Sequence, residues 1–279
     1  MVIEWNEGFY LYDKNIESLI KLKYQLMSLH NDYRWKDLKN IGRLEFAAGR
    51  WRKAFHLWKK SISQYPNSKD SLEAVNFLSN FFKNEMNWEN LEDISYLAIK
   101  HKIKVKNHDQ NQNFYQNLEL ALYKGAVENM KNSDYETSIL KLSVLQDAFV
   151  DSKDYSLYLF LLSKCLKKIK DYERSIEVNK EIILLGENND YYNQSIFSTI
   201  DMYIGLALEK EAIDLFNLLK VSYKGSKETL DDYKLKISNI YIGKEDYKNA
   251  FDILRGIDFF LFNNNKKNIY LEKIISIFH

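Results

Sequence analysis

The chain has 279 residues, with 40 Lys plus Arg against 39 Asp plus Glu; a net charge of +1 gives no global pull toward nucleic acid or a membrane surface. One proline, nine glycines and long stretches without turn clusters favour helices joined by short loops, so the expected class is all-α. A single cysteine, Cys165, excludes an internal disulfide and a cysteine-based zinc site, and the most apolar run, Leu157 to Leu162, is far short of the roughly 20 residues that cross a bilayer.

In chain order, seven positions recur: Asn15, Trp51, Trp88, Tyr135, Tyr172, Glu209 and Tyr247, separated by 36, 37, 47, 37, 37 and 38 residues. The chain therefore repeats a unit of about 37 residues with one ten-residue insertion. Three residues after each marker stand Ser18, Ala54, Leu91, Ser138, Ser175, Ala212 and Ala250, small in all but one unit. Next come Leu19, Phe55, Glu92, Ile139, Ile176, Ile213 and Phe251, apolar in all but one. A small residue followed by a large one at fixed register is what two helices need where their backbones come close.

The expected helix-pair units are 1-30, 36-66, 73-100, 120-150, 156-187, 194-222 and 231-262, followed by a single helix at 268-279. Trp5 is expected inside the first helix of the first unit. In the second unit Leu38, Ile41, Gly42, Phe46, Gly49, Trp51, Ala54, Phe55, Trp58, Ile62 and Pro66 fall at helical spacing broken by a turn near Gly49. Pro66 closes that unit, and Ser68 or Asp70 can cap the next helix, with Glu73 placed as in a capping box. Unit 73-100 departs from the pattern at Leu91 and Glu92, so its packing is expected to differ. The insertion near 100-112 is basic through Lys100, His101, Lys102, Lys104, Lys106 and His108. Asp134, Asp171 and Asp246 precede their marker tyrosines as candidate helix caps, and Asp231 with Asp232 read as N-terminal charges on the following helix.

The glycine, loop aromatic, alanine, large aromatic and closing proline of 36-66 resemble the tetratricopeptide repeat (TPR) family, and the other units resemble it more loosely. That resemblance implies a right-handed α-solenoid of stacked antiparallel helix pairs, with the first helix of each pair lining a concave groove.

Signatures of catalysis are missing. No two glycines stand one residue apart, so the dinucleotide fingerprint is absent, as is the glycine-lysine phosphate loop. His30, His56, His101, His108 and His279 form no pair at metal-ligand spacing, and Cys165 reads as a small core residue. No enzyme activity, cofactor or metal is expected.

Placed on the implied groove, the first helices offer Lys36, Lys39, Arg43 and Phe46, then Asn76, Asn80 and Lys83, then Tyr123, then Phe160 and Lys164. Amide and basic donors followed by aromatics suit a protein or extended peptide with an acidic or carboxylate end. Residues 31 to 62 carry nine basic and three acidic side chains, a local net of +6. Phe259, Phe260, Phe262, Ile274 and Phe278 form a second candidate surface, because a terminal solenoid helix should turn a polar face to water. Self-association through that helix is one use for it.

The expected function is a non-enzymatic scaffold or adaptor for protein–protein interaction. The alternatives are a peptide-sensing regulator of the kind found in bacteria and, third, a nucleic-acid module, which the net charge disfavours. Residues 1 to 12 lack a basic start followed by an apolar stretch, so no signal peptide is read there. The expected location is cytoplasmic by default, or periplasmic or membrane-anchored if native residues precede Met1.

Overall fold

The computed structural model describes residues 2–5, 8–11, 16–29, 35–66, 68–103, 108–223 and 225–278. It divides into two compact units, Met1–Asp134 and Tyr135–His279.

The first unit opens with two antiparallel strands, β1 (Val2–Trp5) and β2 (Gly8–Leu11), in the register Val2 opposite Leu11 and Trp5 opposite Gly8. Trp5 is thus in a strand and not in the expected first helix. Valine, isoleucine, phenylalanine and tyrosine favour extended backbone, and Gly8 resumes the chain directly after a short connection. Then follow α1 (Ile16–Leu29), α2 (Trp35–Ala47), α3 (Trp51–Gln64), α4 (Lys69–Asn84), α5 (Trp88–Lys100) and α6 (His108–Lys131). His108, expected in the basic insertion, opens α6, so the far end of the insertion lengthens a helix; Lys104 and Lys106 lie outside the described residues.

The second unit holds α7 (Tyr135–Ala148), α8 (Tyr155–Lys168), α9 (Tyr172–Leu184), α10 (Tyr192–Gly205), α11 (Glu209–Ser222), α12 (Lys227–Gly243) and α13 (Tyr247–Leu254). A 3-10 turn at Phe259–Leu261 leads into the last helix, α14 (Asn264–Phe278). Apart from the hairpin the described residues are helical, and successive helices pack as pairs, α2 with α3, α4 with α5, α8 with α9, α10 with α11 and α12 with α13.

The markers from Trp51 onward are the first residues of α3, α5, α7, α9, α11 and α13. Two residues before each, the backbone is left-handed: Gly49 (φ 77°), Met86 (52°), Ser133 (62°), Lys170 (66°), Ala207 (57°) and Glu245 (59°). At each turn the next N–H donates five residues back, as Arg50 to the Glu45 carbonyl (2.8 Å) and Asp171 to the Leu166 carbonyl (2.9 Å). The left-handed residue donates three back, as Gly49 to the Phe46 carbonyl (2.9 Å). This is a Schellman ending, which satisfies the orphan carbonyls of each first helix and reverses the chain into the second. Asn87, Asp171 and Asp246 then accept the backbone N–H three residues on, and Ser68 does the same for α4.

The small-residue register is the contact itself. Ala54, Ser138, Ser175, Ala212 and Ala250 are fully buried, and the Ser175 hydroxyl donates to the Ser163 carbonyl of the facing helix at 2.9 Å. Ser18, the first of the series, is exposed. Leu91 occupies the same register and is also fully buried, beside Ile94 and Ala98, so the departing unit packs with a larger knob and leaves Glu92 half-buried.

Asp231 corrects the sequence reading. It sits in the second turn of α12, fully buried, and accepts from Lys234 Nζ (2.6 Å) and the Asp258 N–H (3.0 Å), while Lys234 also donates to the Gly256 carbonyl (2.6 Å). A buried carboxylate held this way fastens α12 to the segment after α13. Asp232 and Glu228 instead receive Lys266 of α14 at 2.7 and 3.2 Å.

Candidate functional site

In the first unit, α2 and α4 are tied by Lys39 and Glu73, at 3.3 Å. Lys39 has only 12% of its side chain exposed, and its ammonium is held below the usual lysine range by burial and then by the nearby Arg43 charge, against the attraction of Glu73. On α4, Asn76, Asn80 and Lys83 stand four and three residues apart, one line on the helix. Both asparagines are exposed, whereas Lys83 is half-buried and pushed down by burial, with no ion pair among the described residues. Of this candidate set, the Lys36 side chain lies outside the described residues.

The aromatic candidates are placed by packing. Phe46 meets Phe77 and Phe81 edge to face at 5.5 and 5.4 Å and lies 5.8 Å from the fully buried Trp58. Gly42 makes room for that indole, because a Cβ there would lie 2.4 Å from Trp58 Nε1. Tyr123 is half-buried on α6. In the second unit Phe160 stacks on Tyr191 at 4.5 Å, with the exposed Lys164 ammonium 5.4 Å from its ring. Phe160 and Lys164 belong to the second compact unit and the other groove candidates to the first.

At the C-terminal end, Phe262 is buried with Leu235, Leu254 and Ile257, and Tyr270, Ile274 and Ile277 of α14 close over them. The adjoining face of α14 is apolar and largely exposed: Leu271 is 46%, Ile275 55% and Phe278 71% exposed, the Phe278 ring touching Phe251 edge to face at 5.9 Å, with Phe260 at 88% on the preceding turn. Phe259 is half-buried against Tyr270 at 5.5 Å.

A third feature had no sequence forecast. Between α9 and α11, over α10, lies a cleft of about 520 Å3 lined by Ile183, Leu184, Leu215, Leu218 and Tyr203, with Lys180 on one rim and Glu211 and Asp214 on the other. Leu184, at its lip, is 85% exposed. Register gave no clear signal for it: twelve residues after the markers the chain carries Met27, Ser63, Lys100, Asp147, Leu184, Val221 and Phe259, apolar in four of seven units.

Among the described residues no group of three or more His, Cys, Asp and Glu side chains could hold a metal ion, and burial pushes the Cys165 thiol up to about 11, away from the reactive thiolate. Among the described residues no helix is long and apolar enough to cross a membrane.

No protein-family model matches the chain, and no curated protein matches it. Among solved structures, the TPR domain of P58(IPK) matches at 13% identity and a TM-score of 0.35, covering 95% of this chain and 72% of that one. A tetratricopeptide repeat protein from Parabacteroides merdae matches at 11% identity and a TM-score of 0.34, covering 95% and 93%. At scores of this size the description of helix pairs rests on the chain's own turns and contacts.

Proposed function

We propose that the chain is a non-enzymatic interaction scaffold whose first unit binds an extended peptide with an acidic or carboxylate end across α2 and α4. One observation carries this reading. Lys83 keeps its ammonium half-withdrawn from water, in line with two exposed amides and without a carboxylate among the described residues. A buried cation without a counter-ion costs free energy that an incoming anion returns, and amides fix the orientation of its oxygens. Lys39 and Arg43, one helix away, add positive charge, and the Arg43 guanidinium is close enough to oppose protonation of Lys39.

The test uses fluorescent peptides ending in two acidic residues, with the C-terminal carboxylate free or amidated. Wild type is expected to prefer the free acid, with salt-dependent affinity. Lys83→Met, and Lys39→Glu with Arg43→Glu, should each weaken binding at least tenfold with helicity and melting nearly unchanged. Equal binding of acid and amide, or unchanged affinity in both variants, overturns the reading.

A further inference from the structure

Two features of the second unit stay largely exposed: the cleft between α9 and α11, and the outward strip Leu271, Ile275 and Phe278 of α14, where only the Phe278 ring has an aromatic neighbour, Phe251 at 5.9 Å. We propose that they are halves of one contact, in which α14 of one copy of this chain lies in the α9–α11 cleft of a second copy.

Their dimensions match. The apolar strip is spaced four and three residues apart on one helical face, and it spans roughly 10 Å from Leu271 to Phe278 at about 1.5 Å per residue. The α11 wall from Glu211 to Leu218 is the same length by the same rise. Two turns of a helix laid into an apolar groove is a common mode of recognition.

Their charges match as well. On the helical wheel of α14 the strip is flanked by Lys267 on one side and by the exposed Glu272 on the other. The cleft carries Glu211 and Asp214 on its α11 rim and Lys180 on its α9 rim. None of these five charges has an ion pair among the described residues. A docked α14 sets Glu272 toward Lys180 and Lys267 toward the two acids, and only one direction of insertion satisfies both flanks.

The two surfaces are different, so the contact is heterologous: a joined pair of chains keeps one free cleft and one free helix, and assembly proceeds head to tail. An α14-to-α14 contact would instead be closed and symmetric. This distinction makes the proposal testable without knowing any foreign partner.

Sedimentation equilibrium of the full chain should show the average mass rising with concentration above that of one 33.3 kDa chain. Leu184→Lys with Leu218→Lys removes the cleft, and Ile275→Lys with Phe278→Lys removes the plug. All four side chains are exposed, so folding should persist, checked by helicity and melting. Each variant alone is expected to remain a single chain, and an equimolar mixture should give a complex of two chains and nothing larger. Lys180→Glu and Glu272→Lys should each weaken assembly at least tenfold, and together restore it. A wild type that keeps the mass of one chain at every concentration overturns the proposal. So does a cleft variant that still self-associates, or a mixture that fails to pair. Peptide binding by α2 and α4 lies in the other unit and is read by a different assay, so either idea can fail without the other.

Discussion

The helix pair α3 and α5 and the helix pair α9 and α11 occupy the same register of the repeat, yet one is filled and the other gapes. Seven residues after its marker, α3 carries Trp58, fully buried and 5.4 Å from Phe77 edge to face. At the same place α9 carries Asn179, 1% exposed, whose amide has no hydrogen-bond partner among the described residues. One position on, Lys59 of α3 reaches Asp93 of α5 at 2.7 Å. The register equivalents Lys180 and Asp214 stand on opposite rims of the cleft without a bond between them. Identical turns therefore do not guarantee identical packing. They bring the helices to the same places, and the side chains at a few positions decide whether the space closes.

The largest way to break the comparison is at its centre. Trp58→Ala should cost about 3–5 kcal/mol by removing a ring that touches several others, read as a lower denaturant midpoint. Asn179→Leu acts in the opposite direction: relieving a buried amide without partners should stabilise by about 1–3 kcal/mol in the same measurement. If Asn179→Leu destabilises, that amide has a partner in solution and the pocket beside it is polar.

A smaller effect tests the turns. Gly49→Ala places a Cβ on a left-handed residue with nothing within 4 Å of it, so only backbone strain enters, and stability should fall by about 1 kcal/mol. Ala207→Gly makes the reverse change at the equivalent turn and should raise the melting temperature. The smallest effect is the sharpest. A double-mutant cycle on Lys59 and Asp93 should give a coupling of roughly 0.2–1 kcal/mol, as expected for a partly exposed pair, and the same cycle on Lys180 and Asp214 should give none. Equal couplings would mean that the cleft closes in solution.

Much of the fold was legible along the chain. The markers begin the second helices because a turn of constant length precedes each one, and constant length shows as constant spacing even where the residues differ. The left-handed position itself was invisible, since glycine fills it only at Gly49 while Met86, Ser133, Lys170, Ala207 and Glu245 fill it elsewhere. Leu91 misled because the small-residue pattern reports volume at one contact, and the facing helix can yield that volume. The hairpin was missed at Trp5 because eleven residues rich in apolar side chains fit either period.

The candidate surfaces divide in the same way. Sequence placed Asn76, Asn80 and Lys83 on one helical line and put apolar residues at the C-terminal end, because both follow from spacing alone. Tertiary structure decided which atoms stay in water. It turned Ile274 and Phe262 inward and left Ile275 and Phe278 outward, it buried Asp231 with Lys234, and it opened the cleft beside Leu184. Periodicity determines which side chains share a face of one helix. Exposure depends on what neighbouring elements bring to that face, and the period of one helix does not encode that.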